Sequence, residues 1–367
     1  MAKAFDNNVA KHPPRAVGRG SPLAPGNRFE RTCLHEDLEQ VEHDEEYLAT
    51  LRNVRTQYLP DSSESIVSEN NSPDLGFRYS VNPYRGCLHG CAYCYARPTH
   101  EYLGLNAGID FETRILVKHK APELFRKFLS RKSWQPEMIA FSGVTDCYQP
   151  AERRFRLTRG CLEVAAECRQ PLGIVTKNAL VTRDLDLLTQ MAGCNVVRVA
   201  VSLTTLDTKL ACALEPATSK PEARLRTIQA LTAASVPCHV MLAPIIPGLN
   251  DTEIPRLLEA AADAGAVAAS YILLRMPLTV QPVFRDWLSR NRPDEAERIE
   301  SRIRDTRAGK WNDSQFGKRH RGQGEIAAQI QATFEVFAAK FGLNKRLPAL
   351  ETAAFTRPSR DGQKRLF

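Results

Sequence analysis

Between Met138 and Leu274 the chain repeats one pattern, a short apolar segment followed by a longer amphipathic one. The short segments are Met138–Ser142, Leu172–Thr176, Val196–Ser202, Pro237–Ala243 and Ser270–Leu274. They read as strands buried on both faces. The spans between them, Phe155–Arg169, Arg183–Ala192, Glu222–Ala234 and Glu253–Ala264, read as helices, and in the last Ile254, Leu257, Leu258 and Ala261 share one face. A strand-like segment from Phe77 brings the count to about six strand–helix units. Six parallel units suit an open doubly wound sheet or a partial barrel. No GxGxxG or Walker-type loop follows any strand, which weighs against a nucleotide-binding doubly wound sheet. In either layout ligands sit at the C-terminal ends of the strands.

The flanks differ in texture. Residues 1–75 are rich in Pro, Gly, Asn and Ser and read as an irregular arm with one helix around Leu38–Asn53. Residues 76–290 form the core, in which Phe111–Lys118 alternates as a strand and Pro122–Lys132 opens as a helix with proline at its start. Residues 291–344 form a helical extension, with a charged helix over Asp294–Arg307, an RGQG turn at Arg321–Gly324 and a final helix. That helix carries Ile326, Ile330, Phe334, Phe337 and Phe341 on one face, and Gly342 suits its C-terminal end. Residues 345–367 read as a loose basic tail.

With 43% hydrophobic and 25% charged residues the composition is that of a globular protein. No stretch approaches the roughly 18 apolar residues that cross a bilayer, and the basic N-terminus lacks the apolar core of a secretory signal. A cytoplasmic protein without a membrane partner is expected. The net charge of +8 concentrates in residues 1–31, in Arg290–Arg321 and beyond Lys345, which raises the prospect of a nucleic-acid partner.

The ten cysteines are too few and too scattered for a disulfide-built fold. Three of them cluster as Cys87-Leu-His-Gly-Cys91-Ala-Tyr-Cys94, a C-x3-C-x2-C spacing. Thiolates are the soft ligands of zinc and iron–sulfur centres, and Gly86 and Gly90 give the loop freedom to wrap one centre. Three readings compete. A structural zinc site wants four ligands, with His89 or His100 as the fourth. A ferredoxin-type site wants four cysteines. The third reading is a cubane with three protein thiolates and one iron left open, and an open position marks catalysis.

The spacing, with aromatic Tyr93 before the third cysteine, resembles the radical S-adenosylmethionine (SAM) motif CxxxCxΦC. NPYRGCLHGCAYCYARPTH, TDCYQPAE, TKN, SLTTLD, LEP followed by PEARL, and PIIPGLND resemble the branch related to spore photoproduct lyase over about residues 75–290. The resemblance implies an α/β fold, a partial (β/α)6 TIM-type barrel with the motif after its first strand. It implies a [4Fe–4S] cluster on Cys87, Cys91 and Cys94, SAM on the open iron, and a flavodoxin- or ferredoxin-like electron donor. The reaction implied is cleavage of SAM to methionine and a 5′-deoxyadenosyl radical that abstracts hydrogen from the substrate.

Carried onto this chain, the pattern gives Ser142 and Gly143 to the methionine amino group, and Thr176, Lys177 and Ser202 to the carboxylate or ribose. Ile246, in the IIPG segment, backs the adenine, and Tyr93 packs beside it. Asp146, Tyr148 and Glu152 stand over the site as substrate candidates, although Asp146 and Glu152 also suit capping of a helix near Ala151. Glu215 and Arg224 are expected to pair at the mouth. Spore photoproduct lyases use a cysteine as hydrogen donor. Cys147 is the candidate catalytic residue here, standing where this branch has proline, and no motif aligns it with that donor. The leading substrate class is nucleic acid, with reversal of a thymine photoproduct as the specific activity. Modification of tRNA or protein is the second reading, and a zinc-stabilised nucleic-acid-binding module the non-enzymatic one.

Overall fold

The computed structural model describes residues 18–29 and 54–359; the helix expected near Leu38–Asn53 lies outside them. Ten strands are present among these residues: β1 (Gln57–Pro60), β2 (Val67–Glu69), β3 (Tyr79–Val81), β4 (Tyr84–Arg85), β5 (Arg114–Val117), β6 (Ile139–Phe141), β7 (Leu172–Thr176), β8 (Val197–Ser202), β9 (Cys238–Ile245) and β10 (Ala268–Leu273). Seven form one sheet in the order β10-β9-β8-β7-β6-β3-β2. From β3 to β10 every neighbouring pair is parallel, and β2 runs antiparallel to β3 at the edge. A smaller sheet, β1-β5-β4, packs beside it. Both β1 and β2 come from the segment that the sequence marks as an irregular arm.

Alternation along each strand divides core from cavity. Ile139, Phe141, Ile174, Val199, Val201, Val240 and Leu242 are at most 1% exposed and pack with the surrounding helices. Burying each contributes roughly 1.5–3 kcal/mol. The intervening residues face an interior cavity, and the register stacks them: Ala140 beside Gly173 and Arg198, then Val175 beside Ala200 and His239, then Ser202 beside Met241 and Ser270.

Among the described residues the sheet does not close by strand pairing. Its open side is laced by polar contacts from the C-terminal extension. The Leu273 amide donates to the His320 carbonyl at 2.9 Å, and Arg319 Nε donates to Asp74 Oδ2, in the β2–β3 connection, at 2.7 Å. Arg307, 1% exposed, braces this seam by donating to the carbonyls of Leu274 at 2.6 Å and Arg319 at 3.0 Å. The final helix, Glu325–Lys340, buries Ala327, Ile330, Phe334 and Ala338. A helix over Val280–Asn291, whose pattern the strand–helix repeat does not extend to, buries Phe284 and Trp287 in the same apolar cluster as Cys91, Tyr93 and Ile246. Residues beyond Lys345 are tied down as far as they are described: Thr356 N donates to Cys168 O at 2.9 Å and Arg357 Nε to Arg131 O at 3.0 Å.

Candidate active site

Strand β3 ends at Val81, and after the two-residue β4 the loop carries all three motif cysteines onto the cavity. Gly86 and Gly90 hold φ of +79° and +65°, a region that costs any other residue steric strain. A Cβ on Gly90 would also meet Glu112 Oε2 at 3.1 Å. The Cys87 amide donates to Phe111 O at 2.9 Å and the Ala92 amide to Leu214 O at 3.0 Å, fixing the loop at two points. Arg97, fully buried, gathers the loop's own carbonyls: it donates to Cys91 O at 2.9 Å, Gly90 O at 3.1 Å and Gly108 O at 2.9 Å, and pairs with Glu112 at 2.5 Å. The other Glu112 oxygen accepts from the Gly20 amide at 2.8 Å. The described part of the N-terminal arm thus closes over the cysteine loop.

Cys87, Cys91 and Cys94 all line a cavity of 880 Å³, and no other described cysteine does. Burial is the largest factor raising each thiol's pKa; for Cys87 the neighbouring Cys94 adds to it, and for Cys91 the nearby Glu215 carboxylate. Such thiols resist ionisation unless a metal centre supplies positive charge. Among the described residues no three His, Cys, Asp or Glu side chains converge as ligands of a single metal ion. A cubane spreads its thiolates over separate iron corners and needs no such convergence. Three soft donors on one pinned loop, opening onto a cavity, therefore fit an iron–sulfur cluster with one corner left uncovered by protein.

The polar residues expected at the strand ends assemble around the same cavity. Ser142, Gly143, Thr176, Lys177 and Ser202 line it together with Tyr93. Ser142 holds φ of +70°, an uncommon conformation for a side-chain-bearing residue and a hallmark of a constrained site. A Cβ on Gly143 would come 2.8 Å from Ser80 Cβ, so only glycine fits there. Lys177 Nζ donates to Ser202 Oγ at 2.6 Å and Ala243 O at 2.8 Å, approaches Glu215 at 3.2 Å, and lies 5.6 Å from the Tyr93 ring centroid. Glu215 is fully buried and also bonds Arg224, Tyr93 and Thr204.

Asp146 lines the cavity, but its carboxylate is engaged by Thr176 Oγ1 at 2.9 Å and by the amides of Lys177 and Tyr148, each at 2.8 Å. Its geometry is that of a brace between the β6 and β7 ends. Tyr148, Glu152, Glu215, Arg224, Ile246 and Cys147 are buried outside the cavity lining. Tyr148 donates to Asp184 at 3.1 Å. Glu152 accepts from Tyr84 and, at 3.0 Å, from the Thr158 amide, ahead of the Leu157–Cys168 helix. Cys147 sits in the main apolar core and burial pushes its thiol pKa well up. Sequence reasoning passed over Arg198, His239 and Arg275 on the cavity wall, and counted Arg319 and Arg321, which also line it, only within the basic Arg290–Arg321 stretch. The signal for the first two was present: a charged or polar residue at the inward parity of an otherwise apolar strand.

Residues 81–261 match the family model of the radical SAM superfamily. An uncharacterized protein of Mycobacterium tuberculosis, Rv2578c, is 43% identical over 226 residues, covering 61% of this chain and 66% of that protein, so the chain spans just under two thirds of that relative's length. An uncharacterized protein of Methanocaldococcus jannaschii, MJ0683, is 28% identical over 251 residues, covering 68% of this chain and 89% of that protein. A solved structure of a spore photoproduct lyase variant with bound AdoMet and dinucleoside spore photoproduct superimposes with a TM-score of 0.57 over 77% of this chain and 78% of that one, at 17% identity; it shares the fold. That family uses a [4Fe–4S] cluster and SAM, and the three-thiol loop described above suits the first of these. On the motif, the parallel sheet and the family match, residues 81–261 of this chain are a radical SAM domain.

Proposed function

We propose that this protein is an enzyme that holds a [4Fe–4S] cluster on Cys87, Cys91 and Cys94 with SAM at the uncovered iron, and that it acts on a nucleic acid. The observation that carries the reading is that the three thiols and the polar ends of β6, β7 and β8 open onto one cavity. A cluster held by these three cysteines would supply the reducing electron for cleavage of bound SAM, the chemistry that starts hydrogen abstraction from a substrate. The chain's own residues bind, orient and exclude water. Lys177, held by Ser202, Ala243 and Glu215, supplies a positioned positive charge for the SAM carboxylate. Ser142 and Gly143 offer a constrained strand end to the amino group, and Thr176 and Ser202 border the ribose. Tyr93 packs beside the adenine, backed by Ile246 from the apolar cluster they share. Asp146 serves as the brace that fixes Thr176 and Lys177.

The nucleic-acid half of the proposal rests on the cationic side of the cavity and on the fold shared with spore photoproduct lyase. Reversal of a thymine photoproduct is its specific form. Buried Cys147 gets no donor role in it, since its thiol lies in the apolar core. Among the described residues no helix is long and apolar enough to cross a membrane. The reading takes a reducing cytoplasm and a flavodoxin- or ferredoxin-like donor as the setting.

The test is an anaerobic assay with dithionite as reductant, following 5′-deoxyadenosine. Wild type should form it from SAM and the Cys91→Ala variant should not. Absence of 5′-deoxyadenosine from an iron-loaded wild type would remove the radical reading. Thymine-photoproduct oligonucleotide left unrepaired, while SAM is cleaved, would remove the specific reaction.

A further inference from the structure

Among the described residues the cavity wall carries five cationic side chains, Lys177, Arg198, Arg275, Arg319 and Arg321, against two carboxylates, Asp74 and Asp146. Lys177 is matched by Glu215, and Arg319 by Asp74. No described carboxylate pairs with the other three. Among the described residues Arg198 meets the Met138 sulfur, 3.1 Å from its Nη2. Arg275 meets His320 through Nη1 at 3.2 Å, while its Nε is buried without a hydrogen-bond partner. Arg321 lies over the Tyr271 ring, 4.1 Å from the centroid. His239 Nδ1, one register step from Arg198, is likewise buried and unpartnered.

Unmatched cations in a partly buried wall are costly unless a ligand brings the missing charge. The cofactors do not bring it. A cubane on three thiolates carries a small negative charge and SAM a small positive one, so together they are nearly neutral. Two of the three unmatched cations also sit on the β10 side of the cavity, off the β6, β7 and β8 ends assigned to SAM. Arg275 and Arg321 belong to the seam between β10 and the β2–β3 connection. Arg275 stacks over Tyr95, the residue after Cys94, with its guanidinium 5.8 Å from the ring centroid. Something held there lies beside the cluster loop. Planar guanidinium groups with free N–H donors match a phosphate oxyanion.

We propose that Arg275, with exposed Arg321 at its rim, forms a phosphate-binding site on the seam. Its ligand is a phosphate group of the substrate, which rests on the nucleic-acid reading above and names the part of the strand that the protein grips. Arg307 is a positioning residue for it, since it holds the Leu274 and Arg319 carbonyls on either side of the seam.

The experiment is fluorescence anisotropy of a short fluorescein-labelled oligothymidylate with the full chain, comparing wild type, Arg275→Gln and Arg321→Gln across a salt series. Arg321 is exposed at the cavity mouth, so its variant keeps the test sound should Arg275→Gln fold poorly; thermal melts monitor both. Each substitution should weaken binding roughly tenfold, the scale of one lost hydrogen bond to a charged group. Each should also make the plot of log K against log salt shallower by about 0.7, one phosphate's worth on a single strand. Competition by unlabelled dinucleotide and by inorganic phosphate separates a phosphodiester from a free phosphate as the preferred source; displacement by either supports the site. Folded variants that bind as tightly as wild type, or wild type that binds no oligonucleotide, would overturn it. Equilibrium dialysis of labelled SAM with anaerobically reconstituted wild type reads the cluster end separately. Lost SAM binding beside intact, arginine-dependent oligonucleotide binding would remove the radical reading while supporting the phosphate site.

Discussion

Two sides of one cavity are built on opposite electrostatic terms. On the cluster-loop side each charge described above has a partner: Arg97 with Glu112, Lys177 and Arg224 with Glu215, and Asp146 with Thr176 and two amides. On the seam side Arg275 and Arg321, like Arg198 at the foot of β8, have no described carboxylate, and Arg307, whose pKa burial and the nearby Arg275 push down to about 10, binds only carbonyls among the described residues. A compensated network holds shape whether or not a ligand is present. An uncompensated one sacrifices stability for a charge that arrives later, which is the trade expected of a binding surface. On the reading proposed above, the first side holds cofactors and the second meets substrate.

The largest effect that would sharpen this contrast lies at Cys91. Cys91→Ala should purify anaerobically without its cluster, colourless and devoid of sulfide, while its circular dichroism stays that of wild type. Iron retained at the wild-type level would break the assignment. Next comes Glu215→Gln, which strands Arg224 and Lys177 without a carboxylate and should cost about 3–5 kcal/mol in denaturant unfolding. Burial alone would raise the Glu215 pKa, but Arg224 and Lys177 outweigh it and hold the carboxyl well below its ordinary range. A carboxyl lowered in the folded state contributes stability above its unfolded pKa and loses it as pH falls toward the folded one. The gap between wild type and Glu215→Gln should therefore persist through mildly acid pH and narrow only in strong acid.

A smaller loss is expected at Gly20, where a Cβ would fall 1.7 Å from Gly90 O. Gly20→Ala should cost about 1–3 kcal/mol by forcing the arm off the cysteine loop, and the reconstituted cluster should bleach faster in air. An unchanged bleaching rate would separate the arm from cluster protection. The smallest effect has the opposite sign. Arg198→Met removes an unmatched cation from the cavity wall and should leave stability unchanged or raised by less than about 1 kcal/mol. Destabilisation on the Glu215→Gln scale would erase the contrast between the two sides.

The sequence made one of these sides far more legible than the other. Cys87, Cys91 and Cys94 are neighbours in the chain, so their spacing alone announces a shared centre. Leu172–Thr176 reappears as β7 without a shift, and the parallel order follows from strand–helix repetition. The strand-end residues Ser142, Thr176, Lys177 and Ser202 converge because parallel strands bring their C-terminal ends together. The seam has no such local mark. Asp74 and Arg319 stand 245 positions apart, and nothing in an arm rich in turns or a charged helical extension announces that they meet. Arg198 and His239 were readable as polar residues at inward strand parity, once a barrel interior is assumed. Glu152 and Tyr148 look like site residues because their loop follows β6, yet the loop turns them under the Leu157–Cys168 helix, where Tyr84 and Asp184 bind them. Loop direction is set by packing, which spacing does not encode.

The most direct test of the central claim is iron, sulfide and zinc analysis of anaerobically prepared protein, followed by electron paramagnetic resonance of the dithionite-reduced sample with and without SAM. The account predicts about four irons and four sulfides per chain, and a cluster signal that changes when SAM is added. Zinc in place of iron, or a cluster signal indifferent to SAM, would contradict it.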